Sequence, residues 1–160
     1  MSRRFALSAL LLAALPATAF AGPPWITIEL PANPWEPTTR GAFLVVHAYH
    51  HGTPMAAPVS GTAEGLVNGQ RRTIQLNFDK TSRTGVFALR NQWGNAGRWV
   101  LVITVSQGDQ VEGDIAQAVV EVSEDGRVTG VTVPTSAQHE GRLPRKATLA
   151  EIEAALRGGR

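Results

Sequence analysis

Four histidines carry the metal-ligating potential of this chain, and three of them, His47, His50 and His51, fall within one short stretch. Imidazole is the commonest transition-metal ligand, and a histidine set of this kind would take copper or nickel. Met55 follows closely, and His139 stands far along the chain. The spacing works against a simple site. On an extended strand His50 and His51 point to opposite faces, and His47 lies about 13 Å from His51 at ~3.3 Å per residue. A pair at i and i+2, which would set two rings side by side, is absent. A site at His47, His50 and His51 therefore requires a bulge at the strand end or a ligand from another loop. The alternative is a histidine-bearing strand end at the rim of the fold. With two methionines, one of them the initiator, a methionine-rich Cu(I) site is excluded.

Other chemistries find less material. Asp109, Glu112 and Asp114 share a glycine-bearing loop whose oxygens would suit Ca²⁺, but the full ligand spacing of a calcium loop is missing, and a solvated turn is the reading. There is no cysteine, hence neither a thiol nucleophile nor a disulfide. No Gly-x-Ser-x-Gly turn or phosphate-cradling glycine loop occurs, and nothing singles out a carboxylate pair for glycoside chemistry. The chain is expected not to be an enzyme and to need no cofactor.

The elements that position these residues begin after a leader. Arg3 and Arg4, the apolar stretch Phe5 to Leu15, and Ala19-Phe20-Ala21 before Gly22 form the three parts of a secretory signal peptide over 1–21. Its apolar run of about 11 residues is short of the ~20 that span a membrane. Cleavage leaves about 140 residues, one domain by size. Arg3 and Arg4 leave with it, which brings the 15 basic residues down to the 13 of the acids. A balanced mature chain gives no reason to expect nucleic acid as a partner. The expected location is the periplasm or the cell exterior, with no transmembrane span.

Most of the mature chain reads as short strands. Trp25 to Leu30 alternates between prolines and is expected at a sheet edge. Trp35, within Asn33-Pro34-Trp35-Glu36-Pro37, is expected to plug one open end of the fold, with a recognition aromatic as the alternative. Ala42 to His51 is a second strand. Val59 to Val67 and Arg71 to Phe78 flank Asn68-Gly69, the strongest hairpin signal present. Ile115 to Val122 and Val128 to Val133 flank Glu124-Asp125-Gly126. Between these hairpins, Thr84 to Ser106 reads TGVFALRNQWGNAGRWVLVITVS, the densest apolar run of the mature chain. Trp99, Leu101, Ile103 and Val105 fall on one face, and Val100 and Val102 make the other nearly as apolar, as expected of a central strand covered on both sides. Val86 to Arg90 is expected as its antiparallel partner across Gly94 to Gly97.

The order Gly-x-Phe, a short polar loop, then Gly-Arg-Trp opening an apolar strand resembles the late strands of immunoglobulin-like sandwiches in bacterial exported proteins, of the YtkA-like and carboxypeptidase-regulatory-like types. The likeness spans 42–105 and implies fold more than activity. The expected architecture is all-β, an antiparallel immunoglobulin-like sandwich of about seven or eight strands over 22–134. A polar linker is expected over 135–147. A short helix and tail over 148–160 open on the capping box Thr148-Leu149-Ala150-Glu151, with Leu149, Ile152 and Leu156 at helical spacing. So short a helix is unstable alone, and self-docking or a frayed tail is expected. The functional expectation is a non-catalytic exported module that binds another envelope protein or serves as an accessory subunit. The alternative is a periplasmic copper- or nickel-binding protein using His47, His50 and His51.

Overall fold

The computed structural model describes residues 22–108, 114–138 and 141–158. The expected leader over 1–21, Asp109 and Glu112 of the acidic loop, and His139 lie outside the described residues. The first sheet is built from β1 (Trp25–Glu29), β2 (Leu44–His50), β3 (Thr53–Pro54), β6 (Asp79–Lys80) and β7 (Val86–Leu89). Its order is β1-β2-β7-β6, with β3 paired to the end of β2. The second sheet contains β4 (Val59–Val67), β5 (Gln70–Gln75), β8 (Arg98–Ser106), β9 (Ile115–Val122) and β10 (Val128–Thr132), in the order β10-β9-β8-β4-β5. Every pairing is antiparallel. The expected all-β antiparallel sandwich is what the chain forms.

Alternation builds the core. Ile26, Leu44, Val46, Ala48, Phe87 and Leu89 from the first sheet meet Ala63, Trp99, Leu101, Ile103, Val105, Ala118 and Val120 from the second in one buried cluster. Trp99 fixes the local geometry of its neighbour strand. Its indole N–H donates to the Ala96 carbonyl at 2.9 Å, and its ring lies flat across Gly65, where a Cβ would come within 2.4 Å of it. Glycine at 65 is thus the space that the indole fills.

The expected partnership of the two central strands is not what forms. β7 pairs with β2 and β6 in the first sheet, whereas β8 pairs with β4 and β9 in the second. The segment Arg90–Gly97 crosses from one layer to the other, roughly 10 Å for packed sheets. Asn91 shapes it: the Oδ1 atom accepts from the Trp93 and Gly94 N–H groups at 3.2 and 3.0 Å. Trp93 is buried in the crossing with its ring edge-on to Phe43, centroids 4.9 Å apart. Trp93, and not Trp35, plugs this end of the sandwich. Gly97, at φ 81°, lies so close to β4 that a Cβ would stand 2.5 Å from the Leu66 carbonyl oxygen.

Beyond Pro134 the expected linker contains a small hairpin of its own, β11 (Thr135–Gln138) against β12 (Gly141–Pro144). Its polar side chains hid it, since hydrogen bonding between strands needs no apolar alternation. The helix α1 (Leu149–Arg157) begins with the capping box in place, Glu151 N–H to Thr148 Oγ1 at 3.2 Å and Thr148 N–H to Glu151 Oε2 at 2.8 Å. It ends at Gly158 in the left-handed conformation, φ 71°. It docks on its own domain. Ala155 and Leu156 form a second buried cluster with Val100, Val102 and Val119, while Leu149 stays exposed. This is why β8 is apolar on both faces: one side packs inside the sandwich and the other lies beneath the helix. Burying Leu156 alone contributes about 2 kcal/mol by area. Arg71 on β5 ties the docked helix from the side through Glu153, and reaches Glu64 at 3.3 Å.

Candidate functional site

Among the described residues, no helix lies over the outer face of the first sheet. Side chains at alternate positions of β1 and β2 point there: Trp25 opposite Tyr49, Thr27 opposite His47, and Glu29 opposite Val45. Val45 and Ala88 at the centre are fully buried, but Trp25 is 42% exposed. His47 does not stand as a free ligand. Its Nε2 is 2.9 Å from Glu29 Oε2, and its ring stacks parallel to Tyr49 with centroids 6.2 Å apart. The His47 imidazole, with the Asn33 N–H also donating to the carboxylate, holds the Glu29 carboxyl below its usual range. Register across the β1–β2 pair, invisible in the sequence, is what brings Glu29 to His47.

Trp35 lies just beyond β1 and is 86% exposed. The turn that carries it is hydrogen-bonded within itself. Asn33 Oδ1 accepts from the Trp35 N–H at 3.0 Å, the Thr38 hydroxyl donates to Glu36 Oε1 at 2.8 Å, and the Thr39 N–H donates to the Glu36 carbonyl at 3.2 Å. Those bonds from Thr38 keep the Glu36 carboxyl below its usual range. A turn closed in this way presents the indole outward. The expectation that Trp35 fills an open end of the sandwich is therefore overturned.

The other histidines gather where β2 ends. The strand stops at His50, and His51 and Gly52 follow at φ 49° and 75°, between the paired residues His50 and Thr53. Two consecutive positive φ values make this a tight type I′ hairpin turn. The left-handed conformation at His51 breaks the alternation that would have sent the two rings to opposite faces. Instead they meet edge-on, centroids 4.2 Å apart. His50 Nε2 lies 3.0 Å from the carbonyl oxygen of Gly22, a residue that sequence spacing gave no reason to place here. Met55 turns inward against the core and its N–H bonds the Ala48 carbonyl at 3.0 Å. No three side chains of the His, Cys, Asp and Glu types come together around one point among the described residues. His47, held by Glu29, and the His50–His51 pair are thus two separate groupings.

Several grooves mark the surface of the described residues away from the histidines. Two adjoining ones, of about 190 and 330 Å³, share Ala56, Ala57, Lys80 and Phe87, and neither is lined by a carboxylate or a histidine. A third, of about 200 Å³ beside the helix, has Glu121 and Glu151 in its wall. Glu151 is already engaged: Arg145 donates to it at 2.7 and 2.9 Å, and with the Thr148 N–H this draws its pKa down to about 2. A carboxylate so held is a poor proton acceptor at neutral pH.

No protein-family model, curated protein or solved structure matches this chain. Any functional reading rests on its own residues. Among those described, no helix is long and apolar enough to cross a membrane.

Proposed function

We propose that this chain is a non-catalytic, exported immunoglobulin-like domain of the bacterial envelope that binds another protein through the outer face of its first sheet and the adjoining turn. The observation that carries the reading is Trp35, 86% exposed on a turn closed by its own hydrogen bonds. An indole held in water is a ready anchor for a partner's pocket, and tryptophan is among the residues that dominate binding energy. Trp25 and Leu30, both about two-fifths exposed, extend the apolar surface toward it. Export to the periplasm or beyond rests on the leader at 1–21.

A photo-crosslinking residue placed at position 35 in the exported protein tests the reading. The expected result is one discrete envelope adduct from position 35 and none from position 150, on the helix surface. Equal labelling from both positions, or none from 35, would sink it.

A second reading has its own observation. The approach of the His50 and His51 rings to 4.2 Å favours a metal-binding role, with copper or nickel as the ion.

A further inference from the structure

The His50–His51 pair and the carbonyl of Gly22 meet at one point of the surface, and Gly22 is the residue that follows the leader. We infer that cleavage after Ala21 completes a Cu²⁺ site, in which the new α-amino group and carbonyl oxygen of Gly22 join the imidazoles of His50 and His51. The inference rests on the metal-binding reading above and on the leader, and adds to them the ligands and the event that creates the site.

Three observations converge. His50 Nε2 stands 3.0 Å from Gly22 O, and metal–ligand bonds of about 2 Å set neighbouring donors on one ion about 3 Å apart. A Cβ built on Gly22 would lie 4.0 Å from His51 Cε1, so the second ring flanks the same Cα. The α-nitrogen is one bond, about 1.46 Å, from that Cα. Amine nitrogen and carbonyl oxygen then close a five-membered chelate ring on the ion. Residue 23 is proline and has no amide N–H, which removes the backbone nitrogen that Cu²⁺ would otherwise displace a proton from. The donor set is accordingly three nitrogens and one oxygen, which suits tetragonal Cu²⁺ and places it ahead of Ni²⁺.

The turn supports the same conclusion. A type I′ turn favours Asn or Gly at its first position, and Asn68-Gly69 elsewhere in this chain is the ordinary solution, at φ 51° and 75°. His51-Gly52 adopts the same backbone, with histidine, itself a residue type enriched in the left-handed region, at the first position. Before cleavage the nitrogen of Gly22 is a peptide nitrogen without a free lone pair, so the precursor lacks the chelate.

The test uses the chain released from a fusion so that it begins at Gly22, which contains every core residue from Ile26 to Leu156. CuCl₂ is titrated by calorimetry, with nitrogen hyperfine coupling read by electron paramagnetic resonance. One Cu²⁺ per chain is expected, weakened by more than about 100-fold in His50→Ala and in His51→Gly, beyond the roughly 10–100-fold that loss of an outer-shell contact costs. His51→Gly retains the turn, so its effect reports the imidazole and not the fold. The same chain with its Gly22 α-amino group acetylated is expected to bind at least about tenfold more weakly and to lose one coupled nitrogen. His47→Ala is expected to bind as the parent does. Binding indifferent to His51→Gly, equal affinity of the free and acetylated N-termini, or no stoichiometric binding overturns the ligand set. N-terminal sequencing of the exported protein reads the other half separately: a start at Gly22 supports the proposal, and any other start overturns it through the leader, whatever the titration shows.

Discussion

The outer faces of the two sheets present the same physical problem and end differently. In the second sheet Val100, Val102 and Val119 point away from the core, and the chain covers them with its own helix through Ala155 and Leu156. In the first sheet Val45 and Ala88 are buried at the centre, but Trp25, Tyr49, His47 and Glu29 stand around them, with no helix above among the described residues. An aliphatic face demands cover. An aromatic and ionisable face can remain half-wet, because its side chains have polar tips and mutual contacts. The difference locates stability on one side of the molecule and leaves the other side available for recognition.

Weakening each face in turn separates their roles. Leu156→Ala is expected to lower the free energy of unfolding by about 2–4 kcal/mol in urea denaturation, because it uncovers Val100 and Val102. Trp35→Ala is expected to stay within about 0.5 kcal/mol of the parent. Comparable losses would mean that the exposed indole is structural after all.

A smaller effect is expected at the helix start. Thr148→Ala removes the cap and should cost about 1 kcal/mol. Acid acts on the same turn. Glu151 releases its proton at about 2 in the fold and near 4.5 otherwise, so its contribution is complete above about 4.5 and disappears as the pH falls toward 2. Helical circular dichroism should fall over that window in the parent and change less in Glu151→Gln; identical profiles would show that the Arg145–Glu151 pair does not hold the helix.

The smallest effect belongs to the open face. Glu29→Gln leaves a hydrogen bond to His47 possible and is expected to change stability by less than about 1 kcal/mol, since the pair is partly solvated. The Glu29 contribution is also lost as pH falls, because His47 depresses its carboxyl. A change in Tm between pH 7 and 4 larger than that of Glu151→Gln would reverse the ranking of the two faces.

Much of the fold was legible because alternation and turn chemistry are local. The Asn68-Gly69 hairpin, the edge position of β1, the span of β9 and the capped helix all follow from a few adjacent residues. Alternation assigns faces but not partners, which is why β7 and β8 read as a pair although Trp93 and the Asn91-braced segment send them to different sheets. The hairpin at 135–144 has backbone pairing without an apolar pattern to announce it. The sites were less legible still. Trp35 adds apolar surface to any prediction, but its direction depends on hydrogen bonds made by Asn33 and Glu36. Strand geometry separated His50 from His51 on paper, and one left-handed residue brings them together. Gly22 and Glu29 reach their histidines through contacts distant in sequence, which no local spacing encodes.

The crossing at Arg90–Gly97 also dictates an order of assembly. Every strand of the first sheet precedes it, whereas β8, β9 and β10 all follow it. As synthesis proceeds from the N-terminus, the first sheet can close while its inner residues Ile26, Leu44, Val46, Phe87 and Leu89 still face water. Full cover arrives only when β8, with its neighbour β9, slots in beside β4, a pairing of residues far apart along the chain such as Val59 and Val105. A nascent chain that stops near Gly94 thus has the first sheet but only the β4–β5 hairpin of the second, leaves much of its interior bare, and is prone to stick to its own kind. A second fragment beginning just past that point carries the missing strands and could restore the whole by simple mixing.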